Sequence, residues 1–319
     1  MKNLISAVNF VLSVGSVDGV CTSAAVLRNA SEGAGLAFCQ AFTVDKIDPA
    51  AWGEGKNVLF VDLAVNNRDE VMTVAFLTRV QAAGHQIVGV LDEHSAEDWA
   101  KAFEAAGLSF ADLAIKPVSQ NTGDIKSSGA LLLSLLGNEA DEQTKELCLA
   151  ADAGDRMDFS TRFGGIVNQA VKSAIADDSR RVYLARHFAV SGEPDEKITG
   201  WIAEYEQILV SHDEIVAAKI DLGNGIHRVV ATGRTVDMTT LMSRLYREGA
   251  KVVVLEGEAF NKALGRKTVQ VSFGTGDRNL DLLSIVKEAV PTASGFAQKA
   301  NVDPEHEEAA LTAIRQALS

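Results

Sequence analysis

Ser13 to Arg28 reads SVGSVDGVCTSAAVLR. An apolar, strand-like run from Ala7 to Val14 stops here, and a helix of small residues starts after Asp18. A carboxylate between a strand's carboxyl end and a helix's amino end occupies the crevice where open α/β sheets bind ligands, and the helix dipole favours its charge. Two later runs repeat the arrangement: Asn57 to Val61 delivers Asp62, and Gln86 to Leu91 delivers Asp92, Glu93 and His94. In a parallel sheet all three ends lie on one edge, so these side chains can converge. A plainer reading stands beside this one. An Asp after a strand also serves as a helix N-cap, Asp18-Gly19 fits a simple turn, and Glu93 with Ser95 and Asp98 fits a capped, acidic first helical turn.

The 319 residues are enough for two domains, and 47% hydrophobic with 23% charged residues excludes wholesale disorder. A net charge of -13 does not steer the chain toward nucleic acid, so a phosphate-bearing partner must be held locally by a metal or a few Arg and Lys. Cys21, Cys39 and Cys148 lack C-x-x-C spacing and lie among apolar or small residues. They read as reduced, buried thiols of a cytoplasmic protein, which argues against zinc. The first residues, MKNLISAVNFVLSVG, are too short an apolar run to span a bilayer and lead into no cleavage pattern. They read as a strand and not a signal peptide, and no other stretch suits a membrane helix.

Along the chain, strand and helix signals alternate as in a parallel sheet. A helix from Asp18 to Asn29 precedes a strand from Leu36 to Ala41; a helix from about Asp69 to Ala83 joins the strands that end at Asp62 and Asp92. A helix from Ser95 to Ala106 leads to a short strand, Asp112 to Ile115, then Lys116-Pro117 and a turn at 121–124. Ser127 to Leu136 is an apolar helix whose first hydroxyls and free amides suit capping or an anion. After a helix from about Glu139 to Leu149, Ala150 to Phe159 reads as an acidic loop carrying Asp152, Asp155 and Asp158, with Gly154 for a tight turn. The break at 191–196 sets the expected domains: 1–190, a linker and connecting helix over 191–210, and 211–319. The last reads as a smaller mixed α/β unit, with strands at Ala217 to Asp221, His227 to Thr232, Lys251 to Glu256 and Thr268 to Phe273. Its helices are Met238 to Glu248, Asn279 to Ala289 and Pro304 to Leu318.

In that order the motifs resemble the DHH phosphoesterases, named for an Asp-His-His signature, whose members include RecJ-type exonucleases, oligoribonucleases, cyclic dinucleotide phosphodiesterases and exopolyphosphatase-like proteins. Asp18-Gly19 is similar to the end of the first motif, usually His-x-Asp-x-Asp-Gly, Asp62 to the second, and Asp92-Glu93-His94 to Asp-His-His. Asp155 is similar to the fourth motif's Asp, with Asp152 as the alternative. The resemblance implies a parallel, doubly wound DHH domain followed by a smaller mixed α/β accessory domain, with the active-site cleft between them. That second domain binds substrate through an Arg and a Gly-Gly-Gly-His loop; Arg278 and Gly295, in Ala293-Ser294-Gly295-Phe296, stand nearest to those features.

The departures shape the expected chemistry. The first motif's His and first Asp are replaced by Val14 and Ser16, so one of the family's two metals is expected to be lost or weakened. Carried across, the other metal's ligands are Asp18, Asp62, Glu93 and Asp155, an all-oxygen set suited to one Mn or Mg ion. Asp62 and His94 are then the catalytic pair, His94 facing the phosphoryl group, with Arg278, Gly295 and Arg156 on the substrate and Lys299 a further phosphate candidate. The implied activity is that of a metal-dependent hydrolase acting on a nucleotide, short oligonucleotide or polyphosphate, in the cytoplasm, away from membranes, with a homodimer left open. The alternative is a catalytically inactive descendant that binds a nucleotide, a nucleic-acid end or a protein partner, and an unrelated doubly wound α/β protein remains a third reading.

Overall fold

The computed structural model describes residues 2–66, 69–94, 96–109, 111–113, 127–261, 266–277 and 279–318. They form two compact units, Met1–Ile202 and Ala203–Ser319. In the first, the elements follow in the order α1 (Lys2–Ile5), β1 (Phe10–Val14), α2 (Val17–Asn29), β2 (Gly35–Cys39), β3 (Asn57–Val61), α3 (Glu70–Ala82), β4 (Gln86–Leu91) and α4 (Ala96–Ala105). Helices α5 (Ser128–Leu136), α6 (Glu142–Asp155), α7 (Arg162–Lys172) and α8 (Asp178–Val190) follow, and α9 (Glu196–Ala217) carries the chain into the second unit.

The four strands pair in parallel in the order β2-β1-β3-β4. Their apolar runs are continuous because both faces are covered. Phe10, Leu12, Val58 and Phe60 turn to a core with Val74, Phe76 and Leu77 of α3 and Trp99 and Phe103 of α4. Val11, Leu59 and Val61 turn to the other, with Val20 of α2, Leu132 of α5, Leu147 of α6, Phe163 of α7 and Phe188 of α8. The sheet is therefore doubly wound, and its strand order reverses between β1 and β3. Ligand crevices of open α/β sheets form at such a reversal, beyond the carboxyl ends of the strands.

The second unit adds β5 (Ile220–Asp221), β6 (Ile226–Val230), α10 (Met238–Arg247), β7 (Val252–Asn261), β8 (Arg266–Thr275), α11 (Leu282–Ala289), β9 (Ser294–Phe296), β10 (Lys299–Val302) and α12 (Glu307–Ala317). Its sheet runs β5-β6-β7-β8-β10-β9, with β6 and β7 parallel and the other pairs antiparallel. Helices α11 and α12 cover one face and α10 packs on the other. The unit is the smaller, mixed α/β one that the sequence suggests.

Several local expectations are corrected. Ala150 to Phe159 is not an acidic loop: α6 runs on through Asp152 to Asp155, because Leu147, Ala150 and Ala151 keep one face in the core. The first strand begins only at Phe10, behind the short α1. The helix expected to end near Leu209 reaches Ala217, where Ile215 and Val216 join the core beneath α10, which leaves only Ile220–Asp221 of the strand expected there. Asp112 lies in a turn, accepting from the Ser109 amide at 2.6 Å, rather than in a strand. The sequence did not suggest β9 and β10. Gly295 sits in β9 with φ +145°, and a Cβ there would lie 2.0 Å from the Lys299 carbonyl oxygen, so this hairpin admits only glycine. Ser95, Ile115 to Pro117, the turn at 121–124 and Arg278 lie outside the described residues.

Candidate functional site

After β1 the chain turns at Gly15, whose carbonyl accepts from Arg181 Nε of α8 at 2.9 Å. Ser16 then caps α2, its Oγ accepting from the Gly19 amide at 2.8 Å, while the same hydroxyl donates to the Asp62 carboxylate. Asp18 is thus neither a turn residue nor the cap: it lies in the first turn of α2. Gly19 beside it lets α2 start hard against β1, since a Cβ would stand 1.9 Å from the Val14 carbonyl oxygen. Gly19→Ala is expected to cost roughly 2 kcal/mol in urea unfolding, a backbone clash near the top of the overpacking range offset by about 1 kcal/mol of helix propensity.

The Asp18 carboxylate is 2% exposed. Its Oδ1 accepts from Thr22 Oγ1 at 2.8 Å and the Gly129 amide at 3.2 Å; Oδ2 accepts from the Ser128 amide at 2.9 Å and Ser128 Oγ at 3.0 Å. Four donors fill the roughly four acceptor positions of a carboxylate. Ser127 meanwhile caps α5 through the Ala130 amide at 3.0 Å. The anion at the start of α5 is therefore the chain's own Asp18.

Asp62 leaves β3 with φ +55°, a left-handed conformation that costs Asp less than most side chains. Its amide donates to the Leu91 carbonyl at 2.8 Å, which holds it beside the end of β4. There Asp92, fully buried, accepts from Trp99 Nε1 at 2.6 Å and pairs with His94 Nδ1 at 2.6 Å. Asp92 so orients the half-exposed His94. Glu93, 7% exposed, lies 3.3 Å from His94 Nδ1 through Oε1 and accepts from Ser128 Oγ at 3.4 Å through Oε2.

Ligand-capable atoms of Asp18, Glu93 and Asp155 all lie within 4.8 Å of one another, as do those of Asp62, Glu93 and His94. Glu93 joins the two groups. Asp155, exposed at the end of α6, faces this cluster, whereas Asp152 accepts from Ser127 Oγ at 3.1 Å and pairs with Arg156. Arg156 is exposed and engaged with that carboxylate. Gly295 lies in the second unit.

Burial, with the charges of Asp18 and Glu93, holds the Asp62 carboxyl well above the ordinary range. Burial also raises Asp18, against the hydrogen bonds from Thr22, Ser128 and Gly129, and raises Asp155. Glu93 is pushed up to about 7 by burial and by Asp18 and Asp92. The hydrogen bond to Asp92 is the largest influence lifting His94 to about 9. A carboxyl raised from about 4.5 to about 7 binds more protons folded than unfolded, so its contribution falls as pH rises through that window. His94, raised to about 9, contributes below its unfolded pKa and loses this as pH climbs through 9. Both signs agree. The metal-free chain is expected to melt at a lower temperature at pH 8.5 than at pH 5.5, with Glu93 alone supplying on the order of 3 kcal/mol; a flat profile in EDTA would contradict these environments.

Asp18, Asp62 and Glu93 are buried, and a donor set this rich in carboxylate oxygen fits a hard divalent cation. Three contributors escaped the sequence reading. Trp99 orients Asp92 from α4, and Arg181 fastens the β1–α2 turn from 166 residues away; neither leaves a local signal. Thr22 was legible as the i+4 neighbour of Asp18 on a helix.

No protein-family model matches the sequence, and the search of curated proteins finds no match. Among solved structures, the chain is similar to the pGpG-specific phosphodiesterase PggH from Vibrio cholerae, with a TM-score of 0.63 and 10% sequence identity. The similarity covers 97% of this chain and 98% of that one. At this identity it establishes a shared fold: a parallel doubly wound sheet followed by a smaller mixed α/β unit.

Proposed function

We propose that the chain is a phosphoesterase of the DHH type that acts on a nucleotide or short oligonucleotide and uses one divalent cation, Mn or Mg. The observation that carries this reading is that Asp18, Glu93 and Asp155 come together and share Glu93 with a second group, Asp62 and His94, beyond the strand ends where the strand order reverses. The fold shared with a phosphodiesterase supports it. Asp18, Asp62, Glu93 and Asp155 would hold the cation, and when bound it would polarise a phosphoryl oxygen and offset charge developing there. Asp92 keeps His94 oriented, and its imidazolium would donate to the phosphoryl group. Ser128 Oγ, placed between Asp18 and Glu93, would turn away from Asp18 to free an acceptor position. Val14 offers no ligand and the Ser16 hydroxyl is committed to Asp62, so a second ion has no first-motif donors. Among the described residues no helix is long and apolar enough to cross a membrane, and the cytoplasm is the compartment we propose, from three unpaired, buried cysteines.

A second reading has its own support. Asp62 is already served by Ser16, and the acceptor positions of Asp18 are filled, as in a site that holds its shape without a metal. The catalytically inactive binding protein is therefore the alternative. Dinucleotides, cyclic dinucleotides, nucleotide bisphosphates and polyphosphate, each assayed with Mn and with EDTA, separate the two. Mn-dependent hydrolysis absent from Asp62→Asn supports the enzyme; binding of one of these compounds without turnover supports the alternative.

A further inference from the structure

Helices α3, α4 and α10 close on a left-handed glycine: Gly84, Gly107 and Gly249. In each case the glycine amide donates to the carbonyl three residues back, and the following amide to the carbonyl five residues before itself. Glycine is the usual occupant of this position because it has no Cβ to crowd the next carbonyl oxygen. Helix α6 ends with the same two hydrogen bonds, Met157 to Gly154 and Asp158 to Ala153, both at 2.9 Å. Its left-handed residue, at φ +60°, is a methionine. Among the described residues the other non-glycines with such a backbone are Asp62 and Asn224, whose residue types tolerate it.

The methionine is also in the open. Met157 is 71% exposed, whereas Met72, Met238 and Met242 are buried or half-buried. Neither the helix ending nor the core calls for a methionine here, but the position adjoins the acidic cluster. Asp155, two residues earlier, brings a carboxylate oxygen within 4.8 Å of the ligand atoms of Asp18 and Glu93. The Met157 Cα, two chain steps on, is at most about 7.6 Å from that of Asp155. A side chain held in a costly conformation beside a site points to a contact made there. We propose that Met157 is a specificity-determining residue that packs against the nucleobase of a nucleotide whose phosphate is held at the cluster. This rests on the phosphoesterase reading above and deepens it, favouring base-bearing substrates over plain sugar phosphates. A thioether gains from contact with a flat aromatic ring, and its exposed methylenes cover the ring face. Such packing requires no hydrogen-bond pattern, so it tells a base from no base rather than one base from another.

Titration calorimetry on the full chain with Mn, using AMP and ribose 5-phosphate, separates the base from the phosphate. The parent protein should bind AMP about three- to tenfold more tightly than ribose 5-phosphate, the span that a sulfur–aromatic contact supplies. Met157→Gly should remove most of that preference by weakening AMP alone, while raising the melting temperature by about 2 °C, because the left-handed position suits glycine. Met157→Leu, which keeps the apolar surface, should retain most of the preference. A stabler variant with a lost preference is not what a purely structural methionine would give. Equal affinities for the two compounds in the parent, or an undiminished preference in Met157→Gly, would overturn the base contact and leave the cation site standing. Asp62→Asn should weaken both compounds alike. Binding of neither compound by the parent would instead overturn the cluster as a phosphate site, and this contact with it.

Discussion

Millimolar Mn or Mg is expected to raise the melting temperature of this protein by roughly 5 to 10 °C, and Asp62→Asn to abolish most of that rise. A ligand confined to the folded state stabilises it by about 2.7 kcal/mol at a hundredfold excess over Kd, and for a unit the size of Met1–Ile202 each kcal/mol is worth about 2–4 °C. The gain arises because burial raises the pKa values of Asp18, Asp62 and Glu93, and neighbouring carboxylates raise those of Asp62 and Glu93 further. A cation removes that repulsion. Asp62→Asn keeps the side chain's shape, and Asn tolerates the left-handed backbone at this position as well as Asp does, so the loss would report on charge and not on folding. Calorimetric scans with and without metal measure it, and a parent protein unmoved by either ion would refute the proposed cation site.

Rebuilding the β1–α2 turn as His-x-Asp-x-Asp-Gly is the second large effect. Val14→His with Ser16→Asp is expected to raise Mn-dependent phosphodiesterase activity tenfold or more, while lowering the melting temperature of the metal-free protein. Both follow from geometry. Ser16 now caps α2 and donates to Asp62. Asp keeps the capping function but sets a second carboxylate against Asp62, so the metal-free state is destabilised and cation binding gains ligands. Val14 is only half-buried, so an imidazole there need not be taken wholly into the core. A rate that stays undetectable while the Mn-induced stabilisation grows would favour the inactive, binding reading.

How much of this was legible beforehand differs between fold and site. Apolar strands followed closely by Asp18, Asp62 and Asp92, separated by helices of ordinary length, already imply a parallel sheet, because runs without alternation must be covered on both faces. The smaller second unit was likewise visible in its strand pattern. Less legible was Ala150 to Phe159, where three aspartates and a glycine read as a loop although α6 continues to Asp155, held by a buried face whose partners lie elsewhere in the chain. Local propensity is a weak guide where tertiary contacts supply the stability.

The sequence by itself determined the architecture and which acids stand at the strand ends, since both follow from short-range pattern and the period of each element. Only the tertiary structure decided what those acids touch. It placed the start of α5 on Asp18 across 110 residues, Ser16 on Asp62, and Trp99 on Asp92. It also brought Asp155 rather than Asp152 to the cluster. The reason is physical: a carboxylate's role depends on the donors and dielectric around it, and those arrive from distant segments only when the chain is packed.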